Sequence, residues 1–457
     1  MPILGYDAIY NKPFEIPDQT LSRHLFGVGM SGTGKTTFLA NLIAQDCKTK
    51  RGWILLDPHG DLADDVLQYI PRERLNDVIW IDPTWDWCPI VNIFHTDGKI
   101  ARDIAAADDL FRNVWPDAWL ARSSWFFKKC ARILANAQGS FTIGELVNLI
   151  ENANYRSEIF KQLKSGRLRR FLNKFNRWPE RFQTDVVTPV LNKSEEFVDN
   201  EFLAALTGRR ESSFSMRWAM DTGKIIICKF PRGLMGKEAS MLACSIMLSK
   251  VNNAALARAD TKNRPDFTAY VDEAGTALRG VDVPSLMSES RKYGLQLVFM
   301  TQTCESIREV SKDALASILG NSGTVIAFTI QADDAKYLDQ HFYGKFPPKK
   351  YVGLVMLHML VKTLRDGSPS EIMELIGRPK PTTRRRPFQK ALWAEKVKDT
   401  SKRRFAFSKE VTLEKIDRFL DSGTLDTHMD TNLDTAYRRG SKKRLDLSTN
   451  YKKRARG

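Results

Sequence analysis

Nine residues near the amino terminus, GMSGTGKTT at 29–37, combine the residue types that bind phosphate. They satisfy G-x-x-x-x-G-K-[ST], in which backbone N–H groups curl around phosphate oxygens. Gly29, Gly32 and Gly34 carry no Cβ to obstruct that curl, and Met30, Ser31, Thr33 and Thr37 complete the cradle. Lys35 is placed to reach β- and γ-phosphates, and the Thr36 hydroxyl to ligate Mg2+. Such a loop needs a carboxylate at the end of a second buried strand, and AYVDEAG at 269–275 offers two. Asp272 is expected to hold magnesium through water, and Glu273 to polarise the water that attacks the γ-phosphate. The doubled acid favours ATP hydrolysis. DPHG (57–60) matches the D-x-x-G of GTPases and NKSE (192–195) approaches N-K-x-D. The guanine-reading position, however, holds Glu195 instead of Asp and falls in a predicted helix. ATP is therefore the expected nucleotide.

These residues need a scaffold that brings strand ends together. HLFGVG (24–29) predicts a strand entering the glycine-rich turn, and Thr36 to Gln45 a helix leaving it. WILLD (53–57), VIWID (78–82), KIIICKF (224–230), FTAYVD (267–272), LQLVFM (295–300) and TVIAFTI (324–330) are short, apolar and β-rich, as buried strands are. Strands alternating with helices predict an α/β fold with a mainly parallel sheet covered on both faces. After KIIICKF, Ala239, Leu242, Ala243, Ile246, Met247 and Val251 recur on one face of a helix. DGSP (366–369) predicts a hairpin.

Between residues 98 and 215 helical patterns dominate, with a capping box at Thr142 and Glu145. Trp115, Trp119, Trp125, Phe126 and Phe127 are concentrated there and read mostly as core. The expected organisation is a core half at 1–97, an all-helical insert at 98–215, a second core half at 216–377 and a tail at 378–457. That tail holds 23 Lys and Arg against 10 Asp and Glu, whereas the other 377 residues hold 47 against 44. Nearly all of the net charge of +16 therefore lies in the tail, which reads as a partly disordered basic arm able to contact nucleic acid. RPKPTTRRRP (378–387) reads as the linker into it. Six scattered cysteines argue against a zinc site or a disulfide framework and for a reducing cytoplasm. No apolar run reaches the roughly 18 residues of a membrane helix, and the amino terminus lacks a signal-peptide layout.

Taken in order, GMSGTGKTT, LLDPHGDLADDVL (55–67), TPVLNKSEEFV (188–198), YVDEAG, SESRKYGLQLVFMTQ (288–302) and LGNSGTVIAF (319–328) resemble a known family. They are similar to the TraG-like coupling ATPases of conjugation and type IV secretion, within the FtsK/HerA superfamily of DNA motors, here without the usual membrane anchor. The resemblance spans roughly residues 20–375. It implies a RecA-like P-loop core with ATP and Mg2+, and assembly into a hexameric ring. By the same resemblance Gln302 senses the γ-phosphate, and Arg291, with Lys292 as runner-up, acts on the neighbouring subunit's nucleotide. Asp57, His59 and Asp61 match a second-strand signature with no individual catalytic role assigned.

The leading functional expectation is a cytoplasmic, DNA-translocating ATPase in conjugative transfer or mobilisation, gripping DNA without sequence preference. A relaxase, secretion machinery or packaging machinery would be its partner, recruiting it to a membrane or capsid. A viral genome-packaging ATPase, a nucleotide-gated adaptor for DNA-processing proteins and a protein-export ATPase are the alternatives.

Overall fold

Short apolar runs that alternate with helices have to be covered on both faces, and this chain meets that need with one large twisted sheet. The computed structural model describes residues 2–95, 99–365, 368–369 and 372–422. Its strands are β1 (Ile3–Asp7), β2 (Pro13–Glu15), β3 (Leu25–Val28), β4 (Gly52–Asp57), β5 (Val78–Ile81), β6 (Trp87–Pro89) and β7 (Ile225–Lys229). They continue with β8 (Phe267–Val271), β9 (Leu295–Thr301), β10 (Thr324–Ala327), β11 (His358–Arg365), β12 (Ser368–Pro369), β13 (Met373–Ile376) and β14 (Ala406–Ser408). The main sheet runs β2-β1-β13-β11-β10-β3-β9-β8-β4-β7-β5. From β10 to β5 every pairing is parallel, as the sequence predicts. β9 lies between β3, which leads into the glycine-rich loop, and β8, which leads into Asp272. The carboxyl ends of all three strands therefore open at one edge.

The other half of the sheet is antiparallel, which the sequence reading does not foresee. β11 pairs β10 and β13, β13 pairs β1, and β1 pairs β2. β10 stops at Ala327, short of the expected residue 330, because Ile330 N–H turns away to Tyr351 O at 3.1 Å. In the expected hairpin, Ser368 and Pro369 pair with Arg365 and Leu364, while Asp366 and Gly367 lie outside the described residues.

Helices cover both faces, and each face has its own apolar core. The Lys237–Ala257 helix is buried nearly all round, Ser240, Cys244 and Lys250 included, and not on one face only. It is wedged between the sheet and a helical region that starts at Ile100. The expected boundary at 97 and 98 falls outside the described residues. Within this region the capping box forms: Thr142 N–H donates to Glu145 Oε2 at 2.9 Å, and Glu145 N–H to Thr142 Oγ1 at 3.2 Å. Trp119, Phe126 and Phe127 are core residues, but Trp125 is 41% exposed. All six cysteines are free and buried, and no described helix is long and apolar enough to cross a membrane.

The carboxyl-terminal segment is held against the core as far as Ser422. Residues 378–386 are laid along the core, with Asn41 Nδ2 donating to Pro379 O at 3.0 Å and Arg385 to Gln68 O at 2.7 Å. The Pro387–Phe405 helix then covers β5, the edge strand, burying Trp393 and Val397. Ser401 Oγ accepts from Trp80 N–H at 2.7 Å, satisfying a backbone donor that an open edge leaves unpaired. β14 pairs β6, and the Lys409–Ser422 helix reaches the insert, where Asn148 Nδ2 donates to Phe419 O at 3.1 Å. Up to Ser422 the expected arm is folded structure; the expectation for 423–457 lies outside the described residues.

Candidate functional site

β3 delivers the chain into a loop with positive φ at Gly32 (78°) and Gly34 (115°), after which the Lys35–Asp46 helix begins. Two close approaches require glycine here. A Cβ at Gly29 would meet Phe328 Cβ at 2.6 Å, and one at Gly34 would meet Leu357 Cδ2 at 2.8 Å. Leu357 N–H donates to Thr33 O at 3.1 Å, and Met30 N–H to Thr329 O at 2.8 Å, so neighbouring segments clamp the loop from outside. Lys35 is buried, and its Nζ donates to Gly29 O at 2.5 Å and Met30 O at 2.8 Å. Burial lowers its pKa, while Asp272 and Glu273 act in the opposite sense.

The acidic pair follows β8 directly. Asp272 faces Thr36 across 3.4–3.5 Å from carboxylate to hydroxyl, long for a hydrogen bond. Burial pushes the Asp272 carboxyl well up, helped by the charge of Asp57 and opposed by Lys35. Burial also raises Glu273, against the Thr301 hydroxyl and then Lys35. Thr301 Oγ1 donates to Glu273 Oε1 at 3.0 Å, and the backbone N–H of Gln302 donates to the same carboxylate. Asp57 ends β4 fully buried, and burial raises it despite N–H donors at Gly60, Ala63 and His59. It fixes the DPHG turn, with His59 N–H at 2.9 Å and Ala63 N–H at 2.8 Å. Two buried carboxylates thus face Lys35, a third, Asp57, adds its charge against Asp272, and the site is short of positive charge.

That shortage and the donor set fit a hard divalent cation. Thr36 and Asp272 supply oxygen, and among the described residues no three His, Cys, Asp or Glu converge as a metal-binding group. A cation with few protein ligands, completed by substrate phosphates and water, is the habit of Mg2+.

Gln302 follows β9 at the same edge, half-buried, next to Gly29, whose N–H donates to Thr301 O at 3.2 Å. Arg291 is elsewhere. It lies in the Ser290–Tyr293 turn before β9, at the amino-terminal edge, exposed like Lys292. The seven residues of β9 separate it from the phosphate loop by about 20 Å. Its turn and the Val283–Glu289 helix that leads into it are pinned by three bonds. Lys292 O accepts from Arg264 at 2.8 Å, Tyr293 O from the fully buried Arg258 at 3.0 Å, and Met287 O from His24 at 3.2 Å. NKSE lies inside the Glu180–Asp199 helix, with Ser194 fully buried, away from the sheet edge.

The structure therefore brings Gly29 to Thr37, Asp272, Glu273 and Gln302 together and leaves Arg291 apart. Sequence reasoning missed Thr301, which links Glu273 to Ser306 Oγ at 2.7 Å, and Leu357, which closes the loop. Thr301 ends an apolar run beside the glutamine, the one signal that points to it. Leu357 has φ +69°, an unusual conformation for leucine that no sequence pattern announces.

A family profile described as the type IV secretion-system coupling protein DNA-binding domain matches residues 13–345. Among solved structures, the plasmid coupling protein TrwB in complex with ADP and Mg2+ is similar, with TM-score 0.63 and 16% identity over 84% of this chain and 91% of that one. TrwB with the non-hydrolysable ATP analogue ADPNP gives TM-score 0.62 and 14% identity over the same shares. VirB4 of Thermoanaerobacter pseudethanolicus gives TM-score 0.51 and 13% identity, over 85% of this chain and 97% of that one. A comparison with curated proteins finds no match. The structural likenesses establish a shared RecA-type fold.

Proposed function

The chain belongs to the type IV secretion-system coupling protein DNA-binding domain family, and from that premise we propose that it hydrolyses ATP with Mg2+ to drive DNA through a ring of subunits, hexameric by expectation, in conjugative transfer. The observation that carries this reading is the convergence of Lys35, Thr36, Asp272 and Glu273 at one sheet edge with Gln302 beside them.

In this reading the loop's N–H groups and the start of the Lys35–Asp46 helix hold the phosphates, both by donation and by the helix dipole. Lys35 exchanges one of its two carbonyl partners for a phosphate oxygen. Thr36 and Asp272 would hold Mg2+, which when bound neutralises charge on the β- and γ-phosphates. Glu273 takes the proton from the attacking water. Its raised pKa makes it a better base than a free glutamate, and the Thr301 hydroxyl and Gln302 N–H fix its aim. The Gln302 side chain reads the γ-phosphate. Arg291 serves the neighbouring subunit's nucleotide, a role favoured by its exposure, its pinned turn and its distance from its own loop.

The test is ATP hydrolysis by the purified chain with Mg2+, with and without DNA, beside the Lys35→Ala variant. The reading expects DNA-stimulated turnover that Lys35→Ala abolishes. Turnover indifferent to DNA would move the reading to an adaptor, and turnover surviving Lys35→Ala would remove the assigned site.

A further inference from the structure

Residues 160–182, in the helical insert, read FKQLKSGRLRRFLNKFNRWPERF, with eight Lys and Arg against one acid, Glu180. This density disappears in a net count because acids elsewhere balance it. The Gly166–Phe175 helix turns Leu172 and Phe175 inward. Arg167, Arg170 and Lys174 follow at spacings of three and four, so they form one stripe, and Arg177 and Arg181 continue it past the helix end. All five are exposed, and none has an acidic partner among the described side chains. Arg169, by contrast, is used internally: it donates to Leu163 O at 2.9 Å and lies 5.6 Å over the Phe160 ring. Like charges at these spacings destabilise a helix, so the stripe is costly unless something neutralises it.

Aromatic rings lie alongside. Trp125 and Phe182 are 41% and 39% exposed. Both pack on the half-buried Trp178, Trp125 stacked at 6.1 Å and Phe182 edge-on at 4.8 Å. Trp125 also meets Phe171, on the helix itself, edge-on at 5.4 Å. The two rings are held by neighbours on one side and open to solvent on the other. A solvated charge run or a lone exposed ring needs no explanation. Exposed cations beside two fixed, open rings form a different surface, one that matches phosphates on one side and base faces on the other.

We propose that this face of the insert grips single-stranded nucleic acid. Arg167, Arg170, Lys174, Arg177 and Arg181 take the phosphates, and unpaired bases stack on Trp125 and Phe182. The single-strand form follows from the rings, because a duplex hides its base faces. The proposal rests on the DNA reading above only for the source of the strand.

The test is binding of a fluorescein-labelled twenty-nucleotide thymidine strand, and of its duplex with the complementary strand, to the full chain across a salt series. Trp125→Ala should weaken single-strand binding about 5- to 100-fold with little effect on the duplex. Trp125→Tyr should restore it, and Phe182→Ala should repeat the loss. Combined Arg167→Gln, Arg170→Gln and Lys174→Gln should weaken binding and flatten the salt slope by about 2, with the thermal unfolding midpoint kept. An unchanged salt slope, or equal binding of strand and duplex untouched by Trp125→Ala, would overturn the proposal. So would capture of poly-glutamate in preference to the strand, which identifies an acidic-protein dock. If the triple variant kept full affinity and DNA still stimulated ATP turnover, this surface would fall while the translocase reading stood.

Discussion

The two edges of the parallel sheet have opposite characters. At the carboxyl edge Asp57, Asp272, Glu273 and Lys35 are all buried, and burial pushes each toward its neutral form. At the amino edge a buried neutral histidine, the buried Arg258 and the half-buried Arg264 hold the segment around a turn whose own Arg291 is exposed. One edge has carboxylates in excess of its cations; the other presents a cation, Arg291, with no acidic partner among the described residues. β9 joins them, with Arg291 before it and Gln302 after it. The difference teaches that strand polarity keeps Arg291 away from its own subunit's phosphate loop, as the proposed role toward a neighbouring subunit requires. An arginine at the amino end of a parallel strand cannot serve a phosphate bound at the carboxyl end of its neighbour.

The largest effect that sharpens this contrast is at the offering edge. Arg291→Ala should lower DNA-stimulated turnover by about 10³–10⁵ while ATP still binds, read by single-turnover kinetics and nucleotide binding. At the receiving edge, Glu273→Gln should lower turnover by about 10²–10⁴ and retain ATP; a variant that turns over normally would remove Glu273 as the base.

The amino edge also carries a pH signature. His24 Nδ1 accepts from Leu297 N–H at 3.1 Å, so Nε2 bears the proton donated to Met287 O. Burial pushes its pKa from 6.5 down to about 4, and nearby Arg291 adds to this. The unfolded chain therefore takes up the proton first. His24's contribution is complete above pH 6.5 and is lost as pH falls toward 4, by about 3 kcal/mol in total. Denaturation midpoints measured from pH 7 to 4.5 should show this slope in the wild type and a shallower one in His24→Asn. The smallest effect concerns Thr301, which positions Glu273. Thr301→Val should cost about tenfold in kcat with KM nearly unchanged, and Thr301→Ser should recover most of it; a change confined to KM would contradict a positioning role.

Much of the carboxyl edge is legible in the sequence because its parts are local. The glycine loop, the apolar run before Asp272 and the arginine–strand–glutamine block each declare themselves within a few residues. The antiparallel extension does not, because the local pairs β1-β2 and β11-β13 are joined into the sheet by β1 pairing β13, about 370 residues away in the chain (Tyr6 opposite Ile376). The folding of residues 387–422 was readable in part. Trp393, Val397, Ser401 and Phe405 recur every four residues and all are buried, but a charge count over the whole segment hides that stripe. The same counting hides the cations of 160–182. Thr301 stays hidden because a threonine closing a strand is ordinary until Glu273 is seen beside it.

The central claim, that one subunit's amino edge completes another's carboxyl edge, is tested most directly by mixing two inactive variants. Arg291→Ala keeps an intact phosphate site, and Lys35→Ala keeps an intact arginine. Mixed in equal amounts and allowed to assemble on DNA, they should hydrolyse ATP well above the sum of their separate rates. A mixture no more active than that sum, across all ratios, would contradict the account.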